Sequence, residues 1–463
     1  MEGGSPLRYD VVIVGAGPAG SSLAYFLSGT RSLRVAVIES KEWSSVWSKP
    51  CGNAIGLHHF TEKKMPLPQG EALLQEVEGI WIYSPSESSV FKVHGRGVVV
   101  DRVRYGQQIL KAVLDRGVDL YLNSHALKPI IEGDRVVGVL ARVDNKAVEF
   151  RCNVLVDASG AASAIKRRLP QSWPVSESLE REDAILAFRG DVILEEEIES
   201  PEYLRIYLNQ EIAPGGYWWF FPSGERRANV GLGVQYSRSI VNLKDLLLDR
   251  LLKRRGLASI RRYLSLGGAL VPTRRPLSTL VWNGIVVIGD AGFNVNPLHG
   301  GGIGYAMDAA LYASSAIQDA FEAGDFSARG LWKANLGYMK TTGAKQASLD
   351  LTRLFLQRLS NNDLQFIMER RIITEEEVDL LSRKALLDES VALRVLKLAG
   401  DVLKAALKLA SRPSLLLKIT RLVEAIREIR ALYESYPESP EGLMAWKQSV
   451  DSLVSRFKRD LDK

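Results

Sequence analysis

Three kinds of segment in this chain carry residue types that do chemistry as well as packing. The first is "SKPCGNAIG", Ser48 to Gly56, which sets Cys51 in a Pro-Cys-Gly bend; the chain's other cysteine is Cys152. Two distant cysteines make neither a disulfide framework nor a zinc site. A lone thiol on a stiff turn can instead pass a proton or hold a proton donor. The S–H group is small and tolerates apolar surroundings, and its ordinary pKa of about 8.5 leaves the thiol form available at neutral pH. Lys49, two residues away, would draw it toward thiolate if it pointed there. Cys152 sits in the strand-like run "FRCNVLV" and reads as core.

The second stretch is "PGGYWWFFP". On a strand, Tyr217 and Trp219 share one face and Trp218 and Phe220 the other. Aromatic faces stabilise a developing cation, tryptophan best; the plainer reading is core packing. Gly215 and Gly216 ahead of it would let the chain pass close to something flat. "VPTRRP", with Arg274 and Arg275, offers guanidinium forks of the kind that suit phosphate oxygens; ion pairing or a cofactor contact fits equally well. The five histidines are scattered, with His299 inside a glycine loop, and no metal-ligand cluster is seen.

The third is a pair of glycine-rich segments. Gly15, Gly17 and Gly20 form GxGxxG between the buried-strand run "YDVVIVG" and the helical "SSLAYFL". Such a turn lets backbone approach a pyrophosphate, and the helix N-terminus supplies N–H groups. Glu39 ends the next strand about 20 residues on, where an acid binds ribose hydroxyls. The second segment is "IGDAGFNVNPLHGGGIG". Asp290 ends a buried strand, and Gly302 precedes the helix "IGYAMDAAL". It sets a carboxylate near a sugar-alcohol chain and a second helix N-terminus near an electron-rich ring, where it would stabilise the negative edge of a reduced flavin. An NAD domain has no need for it, so the dinucleotide reads as FAD. A second GxGxxG, which would mark a built-in NADPH site, is absent.

These groups need a scaffold. At 463 residues the chain is too long for one simple core. Lys+Arg 60 against Asp+Glu 54 leaves a mixed charge of +6, which does not indicate nucleic acid. The start lacks the order of a signal peptide, and no apolar run approaches the roughly 18–20 residues that span a bilayer. Residues 9–40 read as a βαβ unit. A helix over "VDRVRYGQQILKAVLDRG", a strand over "VDLYLNSHA" and a β-meander ending in "NVLVDASG" follow. From about Asp183 to Gly268 alternation indicates an antiparallel sheet with one covered face. Beyond about Ala344 the pattern is helical and amphipathic. The expected domains are FAD-binding at 1–60, 95–180 and 268–344; substrate-binding at 61–94 and 181–267; and helical at 345–463.

With GxGxxG and Glu39, "VDR" with Arg102, "LVDASG", and "GDAG…P…GGG", the chain resembles the FAD-binding fold of the p-hydroxybenzoate hydroxylase superfamily: α/β, Rossmann-like, with an inserted antiparallel sheet. "KPCGNAI" together with Tyr217, Trp219, Phe221 and Pro222 is similar to the archaeal geranylgeranyl reductases, which share the Pro-Cys-Gly turn and a Tyr-x-Trp-x-Phe-Pro motif. The hydroxylases favour Asp-Ala-Ala-His where this chain has Asp290-Ala291-Gly292-Phe293, which argues against that branch. The resemblance implies FAD contacts at Gly15, Gly17, Gly20, Glu39, Arg102, Ala126 and Asp290. It implies flavin-ring contacts at Gly302 and Ile303 on one side and Cys51, Gly52 and Ala54 on the other. Cys51, Tyr217 and Trp219 become the expected catalytic set.

The implied reaction saturates isolated C=C bonds of geranylgeranyl chains in a membrane-lipid precursor or prenyl diphosphate. Electrons would come from an external donor, ferredoxin or a reduced nicotinamide. The implied location is cytoplasmic, on the inner face of the membrane when collecting lipid. A flavin monooxygenase or halogenase on the same fold, and a non-enzymatic polyprenyl-lipid carrier, stay open as alternatives.

Overall fold

The computed structural model describes residues 5–29, 33–238, 242–252, 260–375 and 412–462; the part of the expected helical region at 376–411 lies outside them. The chain opens with β1 (Leu7–Val14), α1 (Pro18–Leu27) and β2 (Val35–Ile38). Val11 to Val14 and all of β2 are buried, as unbroken apolar runs require when both faces of a sheet are covered. Next come β3 (Ala54–Gly56), α2 (His58–Thr61), β4 (Leu73–Tyr83), β5 (Val90–Val100) and α3 (Arg102–Leu114). Asp101 caps α3 by accepting the Arg104 N–H at 3.0 Å, which starts the helix at Arg102.

The expected single strand over "VDLYLNSHA" is broken. β6 covers only Asp119–Tyr121, and Asn123 turns the chain with φ of 51° into β7 (His125–Glu132). β8 (Arg135–Val143) and β9 (Lys146–Asp157) complete the meander. Then follow β10 (Ala184–Leu194), β11 (Tyr203–Tyr207), β12 (Tyr217–Pro222), β13 (Arg227–Gln235), the short α4 (Leu243–Asp245), β14 (Ile260–Pro272), β15 (Val281–Trp282) and β16 (Ile285–Val287). The helices α5 (Ile303–Ala323), α6 (Lys333–Tyr338), α7 (Ala344–Leu356), α8 (Asn361–Glu369), α9 (Pro413–Glu434) and α10 (Leu443–Leu461) close the chain.

Two sheets organise these elements. The first has the order β15-β16-β9-β1-β2-β6, parallel from β16 to β6, with β7 and β8 attached to the first half of β9. The direction of winding reverses between β1 and β9, so the crevice at their C-terminal ends is where this architecture takes a ligand. The second sheet has the order β14-β10-β13-β12-β11-β4-β5-β3 and is antiparallel except for the β4–β11 pair. Its strands come from residues 54–100 and 184–272.

One face of the second sheet is a core. Trp218, Phe220, Val230, Leu232 and Val234 pack there, and Trp218 stacks on Tyr207 at 3.7 Å between nearly parallel rings. The other face of the same strands carries Tyr217, Trp219 and Phe221 and looks into a cavity. Period-two alternation therefore separates the aromatic run as expected. Arg274 and Arg275 serve assembly. Arg274 pairs with Glu177 and Asp183, and Arg275 with Asp350 and Asp451, tying the loop before β15 to α7 and α10.

Candidate active site

One cavity of about 1520 Å³ runs from the C-terminal ends of β1 and β2, beneath the cysteine turn and across the second sheet, to α7 and α8. Gly15, Gly17, Glu39, Cys51, Gly52, Ala54, Arg102, Ala126, Tyr217, Trp219, Asp290, Gly302 and Ile303 all line it. Gly20 does not. A β-carbon there would lie 1.9 Å from the Gly15 carbonyl oxygen, so Gly20 lets α1 sit against the preceding turn. Gly15 has φ of 101° and abuts the Ala158 carbonyl, a conformation and a contact that only glycine tolerates.

At the β1 end, Glu39 is buried and its carboxylate accepts N–H groups from Ala16 at 2.7 Å and Lys41 at 2.9 Å. The turn after β2 is thereby held against the glycine loop. Trp47, which the sequence did not single out, locks the same corner. Its indole donates to the Ala16 carbonyl at 2.8 Å, and its own carbonyl accepts from Arg102 Nε at 3.0 Å. It does so with φ of 59°, unusual for tryptophan and not readable from residue type.

Asp290 falls in a tight turn after β16. Lys49 Nζ meets its Oδ2 at 2.5 Å, so Lys49 points at a carboxylate across the cavity. Two helix N-termini face the same space. The N-cap of α1 is Gly17 and that of α5 is Gly302, and neither is capped by a side-chain bond. α1 begins at Pro18, which has no N–H, so its first donors are those of Ala19 and Gly20; α5 offers those of its first turn from Ile303.

The cysteine turn lies on the aromatic strand. A β-carbon at Gly52 would fall 2.9 Å from the Phe221 ring, and Pro50 rests on Gly267 of β14. The Asn53 N–H points at Cys51 Sγ, 3.4 Å away. Burial alone would push this thiol up. The Arg102 guanidinium, the Asn53 N–H and Lys49 outweigh it and hold the thiol below its ordinary value. Cys152 on β9 is the reverse case: burial pushes it up to about 12. Tyr217 donates its hydroxyl to the His299 carbonyl at 2.6 Å, and burial beside Cys51 raises its pKa. The His299 ring accepts the Gly301 N–H, and burial with Lys345 near it lowers its pKa to about 4.

Gly215 and Gly216, expected to make room for something flat, line the cavity, and Gly216 also answers to the sheet. Its α-carbon faces the Gly233 carbonyl, 2.1 Å from where a β-carbon would stand. A second residue the sequence did not single out is Asn229. It is fully buried on the cavity side of β13 and bonded to Trp219 and to the Cys51 carbonyl. The available signal was the alternation in "RANVGLGVQ": Ala228, Val230, Leu232 and Val234 face the core, so Asn229 shares the other face with Gly231, Gly233 and Gln235.

A family model described as the geranylgeranyl reductase catalytic domain matches residues 183–271, the strands β10 to β14. Digeranylgeranylglycerophospholipid reductase of Sulfolobus acidocaldarius is 42% identical over 98% of this chain and 99% of its own length. The protein of that name from Methanothrix thermoacetophila is 29% identical over 82% of this chain and 95% of its own. Among solved structures, a geranylgeranyl bacteriochlorophyll reductase-like protein from Thermoplasma acidophilum superposes with a TM-score of 0.74 and 27% identity, covering 82% of this chain and 97% of that one. A myxobacterial FAD-dependent halogenase, at a TM-score of 0.64 and 18% identity, shares the fold. Full-length likeness at this level, together with a cysteine turn and an aromatic strand that meet over one cavity, shows that the chain belongs to the digeranylgeranylglycerophospholipid reductase family.

Proposed function

We propose that this protein is an FAD-dependent reductase that saturates isolated C=C bonds in the geranylgeranyl chains of a digeranylgeranylglycerophospholipid. The observation that carries the reading is the continuity of the cavity. A polar end with two uncapped helix N-termini passes beneath the Cys51 turn into an apolar arm walled by Ile82, Phe91, Ile206, Leu356 and Leu364.

The residues present fit FAD. Nothing lies within 4 Å of where a Gly17 β-carbon would stand, so the backbone there is open to a phosphate. Gly15, Gly17 and the first turn of α1 would hold the pyrophosphate, and Glu39 and Ala126 the adenosine end. Arg102 and Asp290 would hold the middle. Gly302 and Ile303 would face the ring, opposite Cys51, Gly52 and Ala54. When bound and reduced, the flavin supplies a hydride.

The chain's own residues supply the rest. An isolated alkene is not polarised by a carbonyl, so a proton must reach one carbon as hydride reaches the other. Cys51 donates that proton, and Arg102 stabilises the thiolate left behind. A general acid works best when its pKa lies near the operating pH, and the cations beside Cys51 move it in that direction. Trp219 and Tyr217 present ring faces to the positive charge that builds on the tertiary carbon. Phe221 and the apolar arm keep out water that would capture it.

Electrons come from an external donor, ferredoxin or a reduced nicotinamide. The lipid is taken from a membrane surface. Among the described residues no helix is long and apolar enough to cross a membrane. Tyr263, Leu264 and Leu266 stand exposed beside Arg261 and Arg262 on the edge strand β14, whose inner half walls the cavity at Gly267, Ala269 and Val271. Replacing Leu264 and Leu266 by Glu should abolish sedimentation with anionic phosphatidylglycerol vesicles while turnover on detergent-dispersed lipid survives; unchanged sedimentation would move the docking face elsewhere.

The decisive assay reduces the yellow protein anaerobically, adds the lipid, and follows product mass. Gain in two-hydrogen steps is expected. Bound lipid with no gain, or oxygen consumption linked to product in air, would replace the reductase reading with a carrier or a monooxygenase.

A further inference from the structure

Asn229 lies on β13 with no solvent exposure, at the crossing of the cysteine turn and the aromatic strand. Its Nδ2 donates to the Cys51 carbonyl at 3.0 Å and to Asp191 Oδ1 at 2.9 Å, and its Oδ1 accepts the Trp219 indole N–H at 2.8 Å. The partners fix the orientation of the amide. Turned over, it would set oxygen against a carbonyl and a carboxylate, and N–H against N–H, losing all three bonds.

Asp191 is itself held. It accepts from Arg189 at 2.5 Å and from the Ser265 hydroxyl at 2.8 Å, so the network reaches across β10, β12, β13 and β14. The turn it grips has other ties on its flanks, where the Val100 N–H donates to the Asn53 carbonyl and the Lys49 N–H to the Trp47 carbonyl. The Asn229 bond falls on Cys51 itself. An apolar side chain at this position would leave the Trp219 N–H, the Cys51 carbonyl and an Asp191 oxygen without this partner. What the amide adds is direction, linking one residue beside the substrate to another.

We propose that Asn229 is a positioning residue that fixes the Cys51 turn over Trp219, so that the thiol, the indole face and the Arg102 guanidinium keep one relative geometry. The inference rests on the reading of Cys51 and Trp219 as the working groups of the reductase. Charged and titratable groups facing the thiol are Arg102 from α3, Lys49 from its own turn and Tyr217 from β12.

The test separates positioning from mere support. In a Cys152→Ala background, which leaves Cys51 as the reporting thiol, Asn229→Asp is combined with Asp191→Asn. The exchange restores the bond between positions 191 and 229 with the donor reversed and keeps the acceptor for Trp219. It leaves no N–H for the Cys51 carbonyl. Three quantities are read on the FAD-loaded protein: thermal unfolding, the pH profile of thiol alkylation by iodoacetamide, and single-turnover lipid reduction.

The expected result is a melting temperature close to that of the parent, an alkylation midpoint moved to higher pH, and a reduction rate about ten-fold lower, inside the roughly hundred-fold that a misplaced catalytic group can cost. An unchanged midpoint with an unchanged rate overturns the proposal, as does loss of stability alone. Because the exchange brings a carboxylate beside the Cys51 carbonyl, which by itself raises the thiol pKa, Asn229→Ser, which adds no charge and shortens the reach to Cys51, is measured alongside it, and positioning requires the moved midpoint and the lowered rate in both variants. The thiol profile needs no lipid. A moved midpoint in a protein whose parent reduces no lipid would keep the positioning role and sink the reductase reading.

Discussion

Cys51 and Cys152 have the same side chain and comparable partial exposure, yet the fold gives them opposite chemistry. On β9, burial dominates and the thiol is pushed up to about 12, with the Val12 backbone bond and Arg135 opposing it. On the turn, burial also acts to raise the pKa, but Arg102, the Asn53 N–H and Lys49 override it. What distinguishes a working thiol from a packing one is therefore the cations and N–H groups its neighbours supply, and burial is common to both.

The comparison is broken or kept first by deletion. Cys51→Ala should slow alkene reduction about 100-fold or more, the lower end of what a positioned acid contributes, while Cys152→Ala leaves the rate within a factor of two. Product mass in anaerobic single turnovers decides it. Equal rates in both variants would make Cys51 a packing residue like its counterpart.

The two tryptophans of β12 offer the same contrast with a different readout. Trp218 is sealed in the core against Tyr207, so Trp218→Ala should cost about 3–5 kcal/mol of stability. Trp219 is almost as buried but faces the cavity and Asn229. Trp219→Phe keeps an aromatic face and should lower the reduction rate about ten-fold, because phenyl is the weaker cation–π partner, at a smaller cost in stability, about 1–3 kcal/mol, for the Asn229 oxygen left without its donor. Stability and turnover changing together in both variants would erase the distinction between the two faces.

Sign matters in the next test. Cys51 donates as the thiol, so turnover must fall as pH rises through its folded-state pKa. Arg102→Leu removes the leading cation and leaves burial in charge. The pKa then rises, and the falling limb should move to higher pH by about one unit, equivalent to about 1.4 kcal/mol. The profile is measured at saturating FAD, because Arg102 also lines the cofactor end. A limb that stays in place would mean that another group donates the proton.

Much of this site was legible before the fold was known. The glycine segments, Glu39, Arg102 and the cysteine turn each carry a local signature, and the alternation of "YWWFFP" places Trp219 and Trp218 on opposite faces. What stayed hidden depends on long-range approach. Lys49 meets Asp290 across the cavity, Trp47 takes a left-handed backbone to reach the glycine loop, and Asn229 meets Cys51 far along the chain. Gly20 and Gly216 also meet carbonyls, of Gly15 and Gly233, and a glycine reads alike in sequence whether its neighbour is a cofactor or a carbonyl. The short β6 fell below what pattern resolves, since Asn123 reverses the chain within one apolar stretch.

The smallest expected effect bears hardest on which acid acts. Tyr217 is a second protonated group beside the aromatic face, and its hydroxyl is committed to the His299 carbonyl. Burial and the neighbouring Cys51 raise its pKa, so it keeps its proton throughout the working range and is the weaker acid of the pair. Tyr217→Phe removes one hydrogen bond, worth about 1 kcal/mol, and should lower the rate no more than about five-fold. The alkaline limb should stay where Cys51 sets it. If the substitution instead abolished reduction and flattened that limb, the proton would come from the phenol. The thiol's depressed pKa would then belong to holding the flavin face in place, and the contrast between the two cysteines would describe binding where it now describes catalysis.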